Sequence, residues 1–549
     1  MFKTQVISFN EMGFSELWQD YLKWSPKVHP FFEYQPHNDA HLAAKAALVT
    51  ANFATDRKDL VEAIKGYCQR IGLKKNALKS VDRLADESSL TITTGQQLGL
   101  LGGPAFTLYK ALTCVLLAKR ASQKLNVDVI PVFWIADEDH DFEEIRKVLT
   151  VSDATIHNFE IKPDRSAKTV ADVSIGEEIE QLFEQLQKVH VDDSHGKEVL
   201  SQLKQFYAKG DTHLQAFGKQ MGWMLAELGM VLVGSNDKAI KELLKAPLAK
   251  AITQRASIKA ALAAKTNELS LIEYPQQVQI GDSLLFQIDD HTGRSKLDYL
   301  PSENLWKDEF TSSYSTEQLL AKVDLKPETF SPNVFLRPVL QDELLPNIGY
   351  VSGPGELNYY AQTKELYPIF GLTMPIIYPR LSCTIIKSHL NRKVQQLGWP
   401  LHLFKQREEK QAKRLVEQQH SALSEVDFTA VEKHIIEEIS ELRAKVLSEV
   451  PGQTKVYDRI ENILNKEFKR LYDKYISELK NTNFISLNRM KAVSNAIFPN
   501  QQLQERTLSL VSLLIEYGDK FPRHLLAHFE SIEPFGSHLF IEIEQPSTH

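Results

Sequence analysis

Apolar and polar positions follow three different rhythms along the chain. Residues 1–90 set lysines and acids between apolar positions, as in 41–66, a pattern that predicts helices. At Leu90-Thr-Ile-Thr-Thr94 the rhythm becomes a short β-branched run, which predicts a strand. A glycine-rich turn from Gly95 to Pro104 follows, then a helical stretch from Phe106 to Leu125, then a second apolar strand from Val129 to Ile135. Strand, glycine loop, helix and strand make one βαβ unit. That crossover requires a parallel strand pair, so the pattern predicts an α/β chain with a Rossmann-like parallel-sheet core. Further buried strands are predicted at 230–234 and 374–378, with a helix over 212–228 before the first.

Two stretches break this texture. Residues 150–200 are polar and mixed. Residues 272–330 alternate, as in Val278–Ile280 and Leu284–Ile288, with turns at Gly281-Asp282 and Thr292-Gly293. Both predict small β-rich insertions. The third rhythm begins near 385. Val431, Ile435, Ile439, Leu442 and Val446 step by three or four, as do Ile460, Ile463, Leu464, Phe468, Leu471 and Leu479. The intervening faces are Glu, Lys and Arg. Two heptad-like helices broken at Pro451-Gly452 predict an antiparallel coiled-coil hairpin. The predicted organisation is core over 1–149, insertion over 150–205, core over 206–255, β-rich insertion over 256–332 and core over 333–388. An α-helical coiled coil over 389–500 and a segment over 501–549 returning to the core complete it.

Composition narrows the class. With 549 residues, 43% hydrophobic and 25% charged, the chain has an ordinary globular balance. A net charge of −7 argues against a general nucleic-acid binder, which needs a basic surface. Cys68, Cys114 and Cys383 are too few and too scattered for a disulfide framework, and no CxxC pair suggests structural zinc. The first residues lack the apolar stretch of a signal peptide, and no run of about 18 apolar residues predicts a membrane span. A soluble, cytoplasmic protein is expected.

Four motifs carry candidate chemistry. Thr94, Gly95, Gln96, Gln97, Gly99, Gly102 and Gly103 join a strand end to a helix start, where unpaired N–H groups and the helix dipole suit a phosphate. Trp134 and the acid run Asp137, Glu138, Asp139, His140 and Asp141 sit at a second strand's carboxyl end, where open α/β sheets bind ligands. Such a run could hold Mg²⁺, bind an amine, or let His140 meet a phosphate. Arg337, Gln341, Asp342, Tyr350, Gly353, Gly355, Glu356 and Tyr359 form a third group. In it Arg337 suits a carboxylate or phosphate and Glu356, near a helix start, an amine. Arg380 and Ser382, after a strand and before a helix, are candidate phosphate contacts. Cys383 is no nucleophile on this reading, because no base stands beside it. A metal-dependent hydrolase or nucleotidyltransferase, or a non-catalytic dimeric scaffold, would also use parts of this set.

The segments TGQQ…GGP at 94–104, WIADEDHDFEEI at 134–145, RPVLQDELLP at 337–346, YVSGPGELNYY at 350–360 and PR.S.T at 379–384 follow one another in a specific order. Together they resemble the cysteine-adding enzymes of bacillithiol biosynthesis, and the resemblance covers most of the chain. Gln504-Glu505-Arg506 is similar too. The resemblance implies a core like that of class I aminoacyl-tRNA synthetases, with connecting-peptide insertions and dimerisation through the coiled coil. It implies a ligase that joins L-cysteine to glucosaminyl-malate through an amide bond, with ATP as the driver. Asp137, Glu138, His140, Asp141 and Glu356 would then be catalytic, the loop with Arg380 and Ser382 would lie near phosphates, and Trp134, Arg337, Gln341, Asp342, Tyr350, Gly353, Gly355 and Tyr359 would hold substrate. No HIGH motif follows the first strand, where Gln96 and Gln97 stand. No KMSKS motif occurs, and Arg380-Leu-Ser382 takes that place.

Overall fold

The computed structural model describes residues 2–544 except 153, 163–168, 277, 290–292, 310–311, 420–424, 451 and 453. Thr292 and Pro451, where turns are expected, lie outside the described residues. The chain divides into two compact units. The first comprises 1–152, 156–385 and 504–543, and the second is built mainly from 386–503.

The first unit is organised by a parallel sheet of five strands. In chain order they are β2 (Leu90–Gln97), β3 (Val129–Ala136), β4 (Val231–Gly234), β5 (Asn347–Ser352) and β6 (Ile376–Pro379), and in space they run β6-β5-β2-β3-β4. β2 and β3 flank helix α1 (Phe106–Leu125), the predicted βαβ unit. All five strands are almost wholly buried, which is why they read as apolar runs rather than as alternating ones. β5 is the strand absent from the expectation. Its sequence, NIGYVS, is short and contains a glycine, yet it lies between β2 and β6 in the sheet. Helix α2 (Leu336–Leu344) precedes β5, and helix α3 (Pro354–Thr363) leaves its carboxyl end.

A second sheet closes the unit. β1 (Phe2–Ile7) pairs antiparallel with β8 (His538–Ile543), and β8 lies beside β7 (Ser382–Lys387). The start of the chain is therefore strand, where helix is expected, and Arg380 precedes a strand rather than a helix. The segment 150–205 is less β-rich than expected. After strands Lys147–Ser152 and Thr155–Glu160 it forms helices Glu178–Val189 and Gly196–Phe206, whose apolar faces join the main core. The 272–330 region does form small antiparallel sheets, among them Leu285–Asp289 with Gly293–Lys296 and Phe330–Pro332. Among the described residues no helix is long and apolar enough to cross a membrane.

The second unit is helical. α4 (Glu425–Glu449) and α5 (Thr454–Thr482) lie side by side. Phe428 packs its ring on Tyr472 and Tyr475, while Arg443 pairs with Asp458 at 3.0 Å, so the two helices run antiparallel. Near its base the hairpin meets helix Glu408–Gln419, where Leu415, Val416, Tyr472 and Ile476 are buried. Farther out the reverse holds. Val431, Leu442, Ile460, Ile463 and Leu471, expected inside the seam, are exposed.

Candidate active site

The carboxyl ends of β2, β3, β4 and β5 surround a cavity of about 330 Å³. In open α/β sheets this end is where ligands bind. Gly95, Gln96 and Gln97 enter from β2, and Trp134, Ala136, Glu138 and Asp139 from β3. Ser235 follows β4, while Tyr350, Glu356 and Tyr359 come from β5 and α3. Arg294 and Pro332–Val334 from the β-rich insertion, with Arg337 of α2, close the far side.

The acidic side is already occupied by protein partners. Asp137 is fully buried and does not line the cavity. It accepts from the Tyr67 hydroxyl at 2.8 Å and from the N–H groups of Ser235 at 3.1 Å and Asn236 at 3.0 Å. These bonds tie the end of β3 to the turn after β4. Gly234 is required there, since a Cβ would stand 2.5 Å from the Tyr67 hydroxyl. Burial, with Glu138 nearby, pushes the Asp137 carboxyl up to about 7. Glu138 pairs with buried Lys241 at 2.5 Å and takes the Ser235 hydroxyl at 2.5 Å. Asp139 accepts from the Gln97 amide and from the backbone N–H of His140. His140 is 55% exposed at the rim, and Asp141 caps the N–H of Glu143 at the surface. Among the described residues no group of three or more His, Cys, Asp or Glu side chains is placed to hold a metal ion. The acid run therefore does not fit a protein-built Mg²⁺ site.

The opposite side differs. Arg337 donates to the Tyr359 hydroxyl at 2.9 Å and to Gln341 Oε1 at 3.3 Å, and it lies over the Tyr350 ring. Arg294 donates to Ser331 Oγ at 3.0 Å and to the Pro332 carbonyl at 2.9 Å, with His140 Nδ1 at 3.3 Å. Every one of these acceptors is neutral.

Between the two sides stands a buried hub. Lys110 of α1 is 2% exposed and pairs with Glu356 Oε2 at 2.7 Å. It also donates to the Gly95 carbonyl and, at 3.2 Å, to Gln96 Oε1. Glu356 further accepts from the Tyr350 hydroxyl at 2.6 Å and from the Gly353 N–H at 2.7 Å, capping α3. Burial opposes its charge, but the Lys110 ammonium and these bonds prevail and hold the carboxyl below its usual range.

Several expected site residues sit elsewhere. Gly99, Gly102 and Gly103 form a buried turn, with φ of +91° at Gly102 and +69° at Gly103. Three of its N–H groups are committed: Gly102 to Gly99, Gly103 to Leu100, and Ala105 at the start of α1 to the Leu508 carbonyl. Three of the donors a phosphate would use there are thereby taken. Thr94 bonds the Val351 carbonyl, Gln341 bonds Thr93, and Asp342 bonds Asn347, all buried beneath the cavity. Burial pushes Asp342 up to about 7 against the pull of Lys45. Gly355 sits in the first turn of α3 without lining the cavity. Arg380 is buried and pairs with Glu505 at 2.7 Å, and Ser382 and the Cys383 N–H bond the same carboxylate. With His538 on Ser382 and Thr384, this cluster binds the returning C-terminal segment to the core. A larger open groove of about 1120 Å³ follows helix Arg57–Arg70, where Lys65 pairs with Asp82.

Lys110, Arg294, Ser235 and Lys241 were not anticipated. Lys110 had a signal, as the lone charge in the apolar stretch Phe106–Leu117. Arg294 had none, because only the fold brings the β-rich insertion to the sheet end.

Residues 2–381 match the family profile of the bacillithiol biosynthesis BshC N-terminal Rossmann-like domain, and residues 383–542 match that of the BshC C-terminal coiled-coil domain. Among similar proteins, one from Symbiobacterium thermophilum is 28% identical over 520 residues, covering 91% of this chain and 93% of its own. One from Chlorobaculum tepidum is 28% identical over 576 residues, covering 98% and 99%. One from Geobacillus thermodenitrificans is 31% identical over 349 residues, covering 62% and 64%. All three carry the name "Putative cysteine ligase BshC". With both domains matched across nearly its whole length, the chain belongs to the BshC family of bacillithiol biosynthesis.

Proposed function

We propose that this protein is a ligase that joins the carboxylate of L-cysteine to the amino group of glucosaminyl-malate, forming the amide of bacillithiol, with ATP as the activating substrate. One observation in the cavity carries the reading beyond family membership. Arg294 and Arg337 hydrogen-bond only neutral acceptors among the described residues. Both guanidiniums are half-buried and line the cavity, with Glu356 acting on Arg337 and Glu138 and Asp139 acting on Arg294 through space but no carboxylate hydrogen-bonded to either, so their N–H forks suit an anionic ligand. The malyl group of glucosaminyl-malate supplies two carboxylates. Its amine would then point toward the wall formed by Glu138 and Asp139. The N–H groups of Gly102, Gly103 and Ala105 are already bonded within the protein, which disfavours the glycine turn as the phosphate site of ATP. Incubation with ATP, Mg²⁺, cysteine and glucosaminyl-malate, read by mass spectrometry, tests the reading. Bacillithiol is the expected product, and its absence under conditions where the protein is folded would sink the proposal.

We infer further that the protein is a homodimer through the hairpin. The exposed side chains Val431, Leu442, Ile460, Ile463 and Leu471 lie on α4 and α5, and exposed apolar surface of this kind marks an interface. A two-fold pairing of the hairpins would cover it. Replacing 429–480 by a short linker should give a folded monomer in sedimentation. A truncated protein that still sediments as a dimer would place the interface on the first unit.

A further inference from the structure

Gln96 and Gln97 are adjacent at the end of β2 and both line the cavity. Their carboxamides are oriented in opposite senses by buried Lys110 and half-buried Asp139. Lys110 is a donor only, so the atom of Gln96 that meets it is the carbonyl oxygen. The Gln96 NH₂ group is left facing the cavity. Asp139 accepts from Gln97, so the atom of Gln97 that meets it is the amide nitrogen, and the Gln97 carbonyl oxygen is left free. Among the described residues neither the Gln96 NH₂ nor the Gln97 oxygen has a partner. Both side chains are half-buried, so they remain open to a ligand.

Resting on the ligase reading above, we propose that this pair is the polarity code of the amide-forming centre. Gln96 is a catalytic donor to the acyl oxygen of the cysteine, and Gln97 accepts from the attacking amine. Lys110 is a positioning residue that holds Gln96 in its donating sense. The acyl donor is the mixed anhydride of the cysteine carboxylate with a phosphoryl group. The amine lone pair forms the new C–N bond, and the carbonyl electrons move onto the oxygen held by the Gln96 NH₂. When that oxyanion collapses, the C–O bond to the phosphoryl leaving group breaks and the pair leaves with it, while the amine proton passes to water. An amide N–H aimed at developing negative charge is worth about 100-fold or more in rate, which makes the sense of one carboxamide consequential.

The test uses the full chain and steady-state turnover with cysteine, ATP, Mg²⁺ and glucosaminyl-malate. Gln96→Glu keeps the shape and replaces the donor by an acceptor. The expected result is a kcat lower by about 100-fold or more with the KM for glucosaminyl-malate within about threefold. Gln96→Met removes the donor without adding charge and should show the same split at an unchanged melting temperature. Gln97→Leu should instead raise the KM for glucosaminyl-malate. Lys110→Met frees the Gln96 carboxamide to rotate but also strips Glu356 of its ion-pair partner, so it should lower both kcat, by about tenfold or more, and the melting temperature, and the Gln96 variants carry the test. Turnover of both Gln96 variants within about threefold of the parent would overturn the proposal and leave the ligase reading standing. A parent protein that makes no bacillithiol would instead remove the reading itself.

Discussion

The two walls of the cavity contrast in how their charges are spent. On the wall from β3, Asp137 holds two backbone N–H groups and a tyrosine, Glu138 holds Lys241 and Ser235, and Asp139 holds Gln97. On the wall from α2 and the β-rich insertion, Arg337 and Arg294 have neutral partners only. Sequence shows five ionisable groups in a row on the first wall and isolated arginines on the second, so the first looks like the chemical centre. The structure reverses the weighting. A carboxylate whose donors are all supplied by the protein serves the fold, whereas a half-buried guanidinium whose carboxylate neighbours act only through space keeps its fork for a ligand.

The sharpest way to break this comparison is to remove an arginine. Arg337→Met should lower kcat/KM for glucosaminyl-malate by about 100-fold or more, the scale of leaving a bound carboxylate unpaired in a closed site. Because the guanidinium hydrogen-bonds no carboxylate, although Glu356 attracts it through space, the melting temperature of the free protein should change only modestly. Arg337→Lys keeps the charge and loses the planar fork, so it should fall between the two. A variant that loses stability but keeps its affinity for glucosaminyl-malate would show that Arg337 serves the fold.

The complementary test is Asp137→Asn on the spent wall, where the effect should appear in stability and its pH dependence. Burial raises the folded pKa of Asp137 to about 7, above its ordinary value of 3.8. Its favourable contribution is therefore complete below about 4 and is lost as pH rises through about 7, where the buried group must ionise. The parent protein should melt lower at about pH 8 than at about pH 5.5, in part for this reason. The substituted carboxamide cannot ionise and still offers an oxygen to Ser235 and Asn236, so the variant should show a smaller drop across that interval. Turnover should change by less than about tenfold. An unchanged pH slope with a turnover loss of about 100-fold would return Asp137 to the chemistry.

How much of this was legible follows from where the signals lie. β2, β3 and α1 announce themselves because strands buried on both faces read as apolar runs and the crossover fixes their pairing. β5 was hidden because Gly349 and the Gly353-Pro-Gly turn that follows mask a six-residue strand. The glycine turn was legible as a turn but not in its purpose, since Leu508 and Leu510, far along the chain, take the Ala105 N–H and the Gly103 carbonyl and cover it. Arg380 was legible as important, but its partner Glu505 is visible only once β8 folds back beside β7. The hairpin was legible as two helices, and the face each turns to its neighbour was not. Heptad spacing assigns a stripe, and here Leu442 and Ile460 of that stripe stay exposed.

The smallest effect is expected where sequence placed one of the largest, at His140. It stands at the rim, 55% exposed, between Asp139 at 3.7 Å and Arg294 at 3.3 Å. Polar contacts between exposed side chains at such distances contribute little, because solvent competes for them and two mobile side chains must be ordered to form each. Arg294 does not depend on it, since Ser331, the Pro332 carbonyl and the Phe286 ring already hold the guanidinium. His140→Ala should therefore change kcat/KM for glucosaminyl-malate by less than about threefold and leave the melting temperature unmoved, as is usual for a surface substitution. The useful control is Arg294→Met in the same assay, which removes the charge that His140 merely touches and should cost distinctly more. If the histidine variant instead matched the arginine variant, the rim would have to close over bound substrate and carry His140 into the cavity. The division into a spent wall and an open wall would then describe only the free protein.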